Sequence, residues 1–221
     1  MNDVVQMFSN SDPSSVSTSV KLLLLLTVLS LAPSILILMT CFTRIIIVLS
    51  FVRTSLATQQ MPPNQVLVGL ALFLTFFIMA PVFHQVYDNA LEPLFDEKIT
   101  LDEAYEKASE PMKDFMAKHT RQKDLALFIN YAHLDKPETV QDIPITALVP
   151  AYAISELKTA FQMGFMIFIP FLIIDMAVAS ILMSMGMMML PPVMISLPFK
   201  ILLFVMVDGW YLITHSLLDG F

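Results

Sequence analysis

The sequence predicts an all-α membrane protein: two apolar helical hairpins, about four hydrophobic segments in all, separated by a small, charged, helical insertion on the extracytoplasmic side. Three observations lead there. Hydrophobic residues make up 57% of the chain and its mean hydropathy is +0.74, whereas soluble domains are about half apolar or less. Such a surplus has to face lipid or other subunits. Charge is also segregated, because 13 acidic and 7 basic residues fall between Asp88 and Asp142 while the flanks are almost uncharged. Finally, the pairs Pro62–Pro63 and Pro191–Pro192 interrupt the apolar runs. Proline lacks an N–H and biases its predecessor away from helix, so each pair marks a hairpin tip.

Residues 1–20 form a polar tail with Asp3, Asp12 and a Ser/Thr cluster but no Lys or Arg. A secretory signal needs a basic segment before its apolar stretch. Lys21 before Leu22 to Leu31 imitates one only weakly, so the tail is expected to stay uncleaved and mobile. The first apolar hairpin occupies residues 21–87. Leu22 to Phe42 has the roughly 20 residues that cross a hydrocarbon core of about 30 Å at about 1.5 Å per residue. Arg44 and Arg53 then bracket a shorter apolar stretch. Beyond Pro62 and Pro63 a second segment runs from Val66 to Val82 and is expected to close at Pro81.

The insertion, residues 88–149, reads as helical. Thr100 and Glu103 have the spacing of a capping box. Pro111 suits the first turn of a following helix. Along that helix Met112, Phe115, Met116, Leu125, Phe128, Ile129 and Ala132 recur on one face, and it should end before Pro137. Its length suits a small cap, not an independent enzyme domain. The second apolar hairpin, residues 150–221, is expected to hold segments Phe161 to Met183 and Val193 to Ile213. Arg44 and Arg53 flank the first hairpin loop, and the positive-inside rule then places that loop in the cytoplasm. Lys200 near the second tip agrees, and the tail and insertion fall outside.

The chain offers little to a catalytic reading. It has no G-x-S-x-G, H-E-x-x-H, P-loop or Gly-rich dinucleotide turn, and only five glycines. The single cysteine, Cys41, sits in an apolar run and excludes a disulfide framework; it reads as a small packing residue. His84, His119, His133 and His215 are dispersed without metal-ligand spacing. No basic patch points to nucleic acid. No enzyme activity, metal or cofactor is expected.

Two features do carry chemistry. Arg44, Asp175, Lys200 and Asp208 lie in or beside apolar helices, where a central charge costs at least about 2.5–3.5 kcal/mol. They could form a proton relay or structural ion pairs. A relay favours several carboxylates or histidines in one region, whereas here acids alternate with bases, so pairing is preferred. Asp175 and Lys200, on the two arms of one hairpin, are the best-placed pair, within or between chains. The other feature is Met183 to Pro192, with five methionines in seven residues beside Gly186 and a proline pair. A methionine stripe usually fills a core, but methionine specifies packing poorly. At a hairpin tip, several copies around an axis would make a soft apolar constriction that resists ions yet yields to a polypeptide.

Long stretches resemble the FliP family of flagellar export-gate proteins. They are FTRIIIVLSFVR (42–53), PPNQVLVGLALFLTFFIMAPV (62–82), DLALF (124–128), PAYAISELKTAFQMGF (150–165) and the block from Ile169 to Trp210. The resemblance covers nearly everything after Lys21. It implies a homo-oligomer of several copies which, with FliQ-like and FliR-like subunits, forms a closed helical multi-subunit pore. That pore would sit in the cytoplasmic (inner) membrane of a bacterium, at the flagellar basal body, and pass unfolded flagellar subunits by type III secretion. FlhA, FlhB and a cytoplasmic ATPase would supply energy and selection. The family's methionine gasket matches Met187, Met188 and Met189, with Met185 a further sulfur nearby. Glu156, Asp175 and Lys200 take the matching polar positions, implied to serve subunit contacts or gating. One departure is that many relatives carry a clear N-terminal signal sequence. The rival readings are a small-solute transporter or channel, which should show internal repeats that residues 22–86 and 161–213 lack, and a membrane-embedded enzyme, for which no nucleophile–base set can be named.

Overall fold

A computed structural model describes residues 37–58, 61–187 and 189–221, together with residues 23, 26, 27, 30, 31, 34 and 35. The tail at 1–20, much of the first apolar segment and Met188 lie outside the described residues. The chain divides into two units, residues 1–37 and 38–221. In the first, the described positions are helical and exposed. There Thr27 and Ser30 turn their hydroxyls back onto the Leu23 and Thr27 carbonyls, each at 2.8 Å, so these polar groups are satisfied within the helix itself.

The second unit carries the fold, and all its regular structure is helical among the described residues. Helix α1 (Phe42–Ser55) buries Ile45, Val48, Leu49 and Val52, a three-and-four spacing that puts one face toward the centre. Full burial of each such side chain contributes about 1.5–3 kcal/mol. A loop through Pro62 and Pro63 leads into α2 (Asn64–Val86), with Pro63 at its N-cap. The helix does not close at Pro81. It runs through that residue into a π turn (Tyr87–Leu91) and then α3 (Glu92–Phe95). Together they make one 32-residue rod. Pro81 loses only a single intrahelical bond, and the packing on either side holds the line of the helix.

In the insertion, α4 (Leu101–His119) begins at the expected capping box: Glu103 N–H donates to Thr100 Oγ1 at 3.3 Å and Thr100 N–H to the Glu103 carboxylate at 2.9 Å. Pro111, however, lies in mid-helix and is buried, not in a first turn. The single helix expected from Met112 to Ala132 is broken at Thr120–Arg121, where α5 (Gln122–Tyr131) starts. Helical periodicity survives a short break that keeps both halves against the same neighbour, which is why the sequence read as one helix. Lys113 and Asp114 of α4 hold Gln141 of the following linker, at 2.7 and 3.0 Å.

Helix α6 (Ile145–Ser184) spans 40 residues, starting well before the expected Phe161. It packs most closely on α1, parallel to it, with Gly164 against Phe51. A Cβ at Gly164 would lie 2.4 Å from the Phe51 ring, so the glycine allows the two helices to approach. Helix α7 (Pro192–Met206) returns antiparallel and α8 (Gly209–Asp219) follows after a 61° bend. The continuous segment expected from Val193 to Ile213 is therefore two helices. Asn64–Phe95 and Ile145–Ser184 are each long and apolar enough to cross a membrane, and the bent pair makes a third if it counts as one span. These helices leave large side chains such as Phe73, Phe77, Phe165 and Met176 60% or more exposed.

Candidate functional site

Two places gather the polar and methionine residues that the sequence singled out. The first is a junction where α1, α4, α5, α6 and the chain's last residues converge. Arg44, near the start of α1, is 4% exposed, and Glu156 of α6 is fully buried. Arg44 Nε donates to Glu156 Oε2 at 2.8 Å, and its Nη2 donates to Oε1 of the same carboxylate. This two-pronged geometry suits a planar guanidinium. Arg44 Nη1 donates to the Gly220 carbonyl at 2.8 Å, and the guanidinium lies 3.8 Å from the centre of the Phe221 ring. Arg44 thus does not flank the first hairpin loop, whose near end belongs to Arg53; its positive charge is spent on Glu156 and withdrawn from the positive-inside argument.

Around the pair lie residues that sequence reasoning missed. Asp124, 7% exposed at the start of α5, accepts from Ser155 Oγ at 2.6 Å and pairs with Arg121 at 2.6 Å. Burial raises the Asp124 pKa, but the Ser155 hydroxyl and Arg121 outweigh it and hold the carboxyl below its ordinary value. The Arg121 backbone N–H donates to the same Ser155 hydroxyl at 3.0 Å. One serine therefore anchors the break between α4 and α5 onto α6. His119 sits between Phe115 and Phe221, tilted to the first at 5.0 Å and edge-on to the second at 5.1 Å. Burial, with Arg44 and Lys118 adding to it, pushes its imidazole down to about 4. Among the described residues, the Tyr152 hydroxyl and His119 Nε2 are buried without a hydrogen-bond partner. The visible signal for this cluster was the run of polar residues Ser155–Glu156 inside an apolar helix; the partners, more than 30 residues away, had none.

The second place is the α6–α7 hairpin. Lys200 Nζ, on a residue 2% exposed, donates to Asp175 Oδ2 at 2.6 Å, and Ser196 Oγ donates to Asp175 Oδ1. Ser196 and Lys200 are four apart on α7, so both reach one carboxylate on α6. The structure thus brings Asp175 and Lys200 together within one chain. Asp208 is not brought to a partner. It is exposed, and its side chain makes no hydrogen bond or ion pair among the described residues; it sits instead in left-handed backbone (φ 50°) at the bend before α8.

At the hairpin tip α6 ends in a Schellman motif. Gly186 N–H donates to Met183 O and Met187 N–H to Leu182 O, both at 3.0 Å, with Gly186 at φ +73°. The chain then turns out through Met187, Met189 and Leu190 to Pro191, the N-cap of α7, and Pro192, its first residue. Met185, Met187 and Met189 are 64%, 44% and 98% exposed. Side chains exposed to this extent do not fill a core. Cys41 is fully buried, and no cluster of metal-ligating side chains occurs among the described residues.

A family model described as the FliP family matches residues 25–217. The chain is 77% identical over 221 residues to a flagellar biosynthetic protein FliP of Bacillus subtilis, covering the whole of both chains. It is 54% identical to a protein of the same name from Caulobacter vibrioides, over 91% of this chain and 76% of that one. A Borreliella burgdorferi FliP is 48% identical over 97% of this chain and 85% of the other.

Proposed function

The chain belongs to the FliP family, and from that premise we propose that it is a pore-forming subunit of the flagellar type III export gate. Several copies, with FliQ-like and FliR-like subunits, surround a channel in the bacterial cytoplasmic membrane at the flagellar basal body. Unfolded flagellar subunits pass through it, driven by FlhA, FlhB and the export ATPase. The role is structural, without catalysis.

One observation carries the reading: an outward-facing methionine loop at the tip of a hairpin whose stem is tied internally. The Lys200–Asp175–Ser196 contacts fix α6 against α7, and the glycine-closed end of α6 projects Met185, Met187 and Met189 away from the stem. Side chains held out in this way are available to copies around an axis. Unbranched thioethers close a ring against ions yet repack around a passing chain. The broad apolar faces of α2, α6 and α7 are the surface that lipid and neighbouring subunits would cover.

Replacing Met187, Met188 and Met189 together by alanine tests this. Cells carrying the variant should admit small ions under export conditions while the protein still inserts. Membranes as tight as the wild type's would remove the gasket from the account.

A further inference from the structure

We propose that α8 is a hinged strap, free to swing about Val207–Gly209 and held at its far end by a latch made of Arg44 and Lys118. At the hinge, α7 ends at Met206 and Asp208 takes left-handed backbone, a conformation that costs an aspartate less than a branched residue. Gly209 follows against the Phe204 ring, where a Cβ would lie 2.3 Å away. A side chain there would jam the 61° bend.

Between hinge and latch α8 touches the bundle along one narrow seam, apart from Trp210 beside the hinge, which lies edge-on to Phe204 at 5.3 Å. Only Gly209, Ile213 and Leu217, four residues apart, are buried. Beside that seam an apolar groove of about 580 Å³, lined by Met163, Ile167, Phe171, Leu203 and Leu212 among others, separates α8 from α6 and α7. Packing that thin gives little resistance to opening.

The far end is held quite differently. Arg44 Nη1 donates to the Gly220 carbonyl at 2.8 Å and Lys118 Nζ to the Phe221 carbonyl at 3.1 Å. The Phe221 ring lies under the Arg44 guanidinium and stacks on Phe115 at 6.2 Å with a 16° tilt. Both donors are charged, so each bond is among the stronger kind. Arg44 is also fixed by Glu156, and Lys118 belongs to the insertion. The latch therefore reports the state of the junction to α8, and the two are released or closed together.

Amide hydrogen exchange on the full chain in lipid nanodiscs, with Lys118→Ala and Phe221→Ala, tests the strap. In the wild type, the amides of α8 should exchange as one group and faster than those of α7. Each substitution should speed α8 by about tenfold, the loss of one charge-assisted bond or ring contact, with α6 and α7 unchanged. If α8 keeps its rate, or α7 and α8 speed up together as one rigid bent span, the strap is wrong. Lys118→Ala decides alone should Phe221→Ala fail to insert, because Lys118 is exposed and its loss leaves the core untouched.

Discussion

The buried Arg44–Glu156 pair is the residue on which most of the junction depends. Either charge left alone in that interior is uncompensated, a loss of about 3–5 kcal/mol, whereas a matched apolar pair is often neutral or better. Glu156→Leu and Arg44→Met should therefore each strongly lower the thermal stability of the detergent-solubilised protein. The double substitution should recover much of the loss. Additive losses would mean that each side chain matters for contacts other than the pair. The sequence showed that intramembrane charges needed partners, and alternation of sign favoured pairing. It could place Lys200 with Asp175 because a hairpin fixes which arms face each other. It could not place Arg44 with Glu156, 112 residues apart, since no local pattern encodes that contact. Asp208 shows the opposite case: its charge suggested a partner, while its backbone conformation, invisible in composition, gives it a place at a bend.

At the scale of elements, close approach of α1 and α6 rests on Gly164. Its replacement by valine should force the Phe51 ring out of its seat, which T-stacks on Phe161 at 5.4 Å. Overpacking of this kind costs about 1–3 kcal/mol. A lowered melting temperature, with helical content retained by circular dichroism, is the expected outcome; an unchanged melting temperature would mean the ring has somewhere else to go. Helix identity was legible because apolar runs of this length have few alternatives, and the capping box gave the start of α4. Ends were less legible. Pro81, Pro111, Pro150, Pro170 and Pro198 all lie inside helices, whereas Pro63, Pro144 and Pro191 are N-caps, so proline by itself did not say whether a helix stopped. The bend at Asp208 had no such marker, because Val207, Asp208 and Gly209 leave the hydrophobic pattern nearly intact.

For the whole molecule, the dominant fact is how little of its apolar surface it buries. In the two longest helices, 28% and 11% of the most apolar stretch is buried within the chain. The insertion is tied into the same bundle through Phe115, Met116 and Tyr152, while the methionine tip stays exposed. In the proposed assembly the apolar helices would offer a side surface to neighbours and the methionine tip would face the axis. The segregation of charge along the sequence already contained the division between apolar helices and charged insertion. The proposed identity of those neighbours rests on family membership, not on physical pattern. The most direct test of the pore-subunit account is the intact mass of the particle purified in mild detergent through a tag on this chain. The account predicts several copies of the chain together with smaller FliQ-like and FliR-like membrane subunits. A monomer or dimer free of any such partner would contradict it.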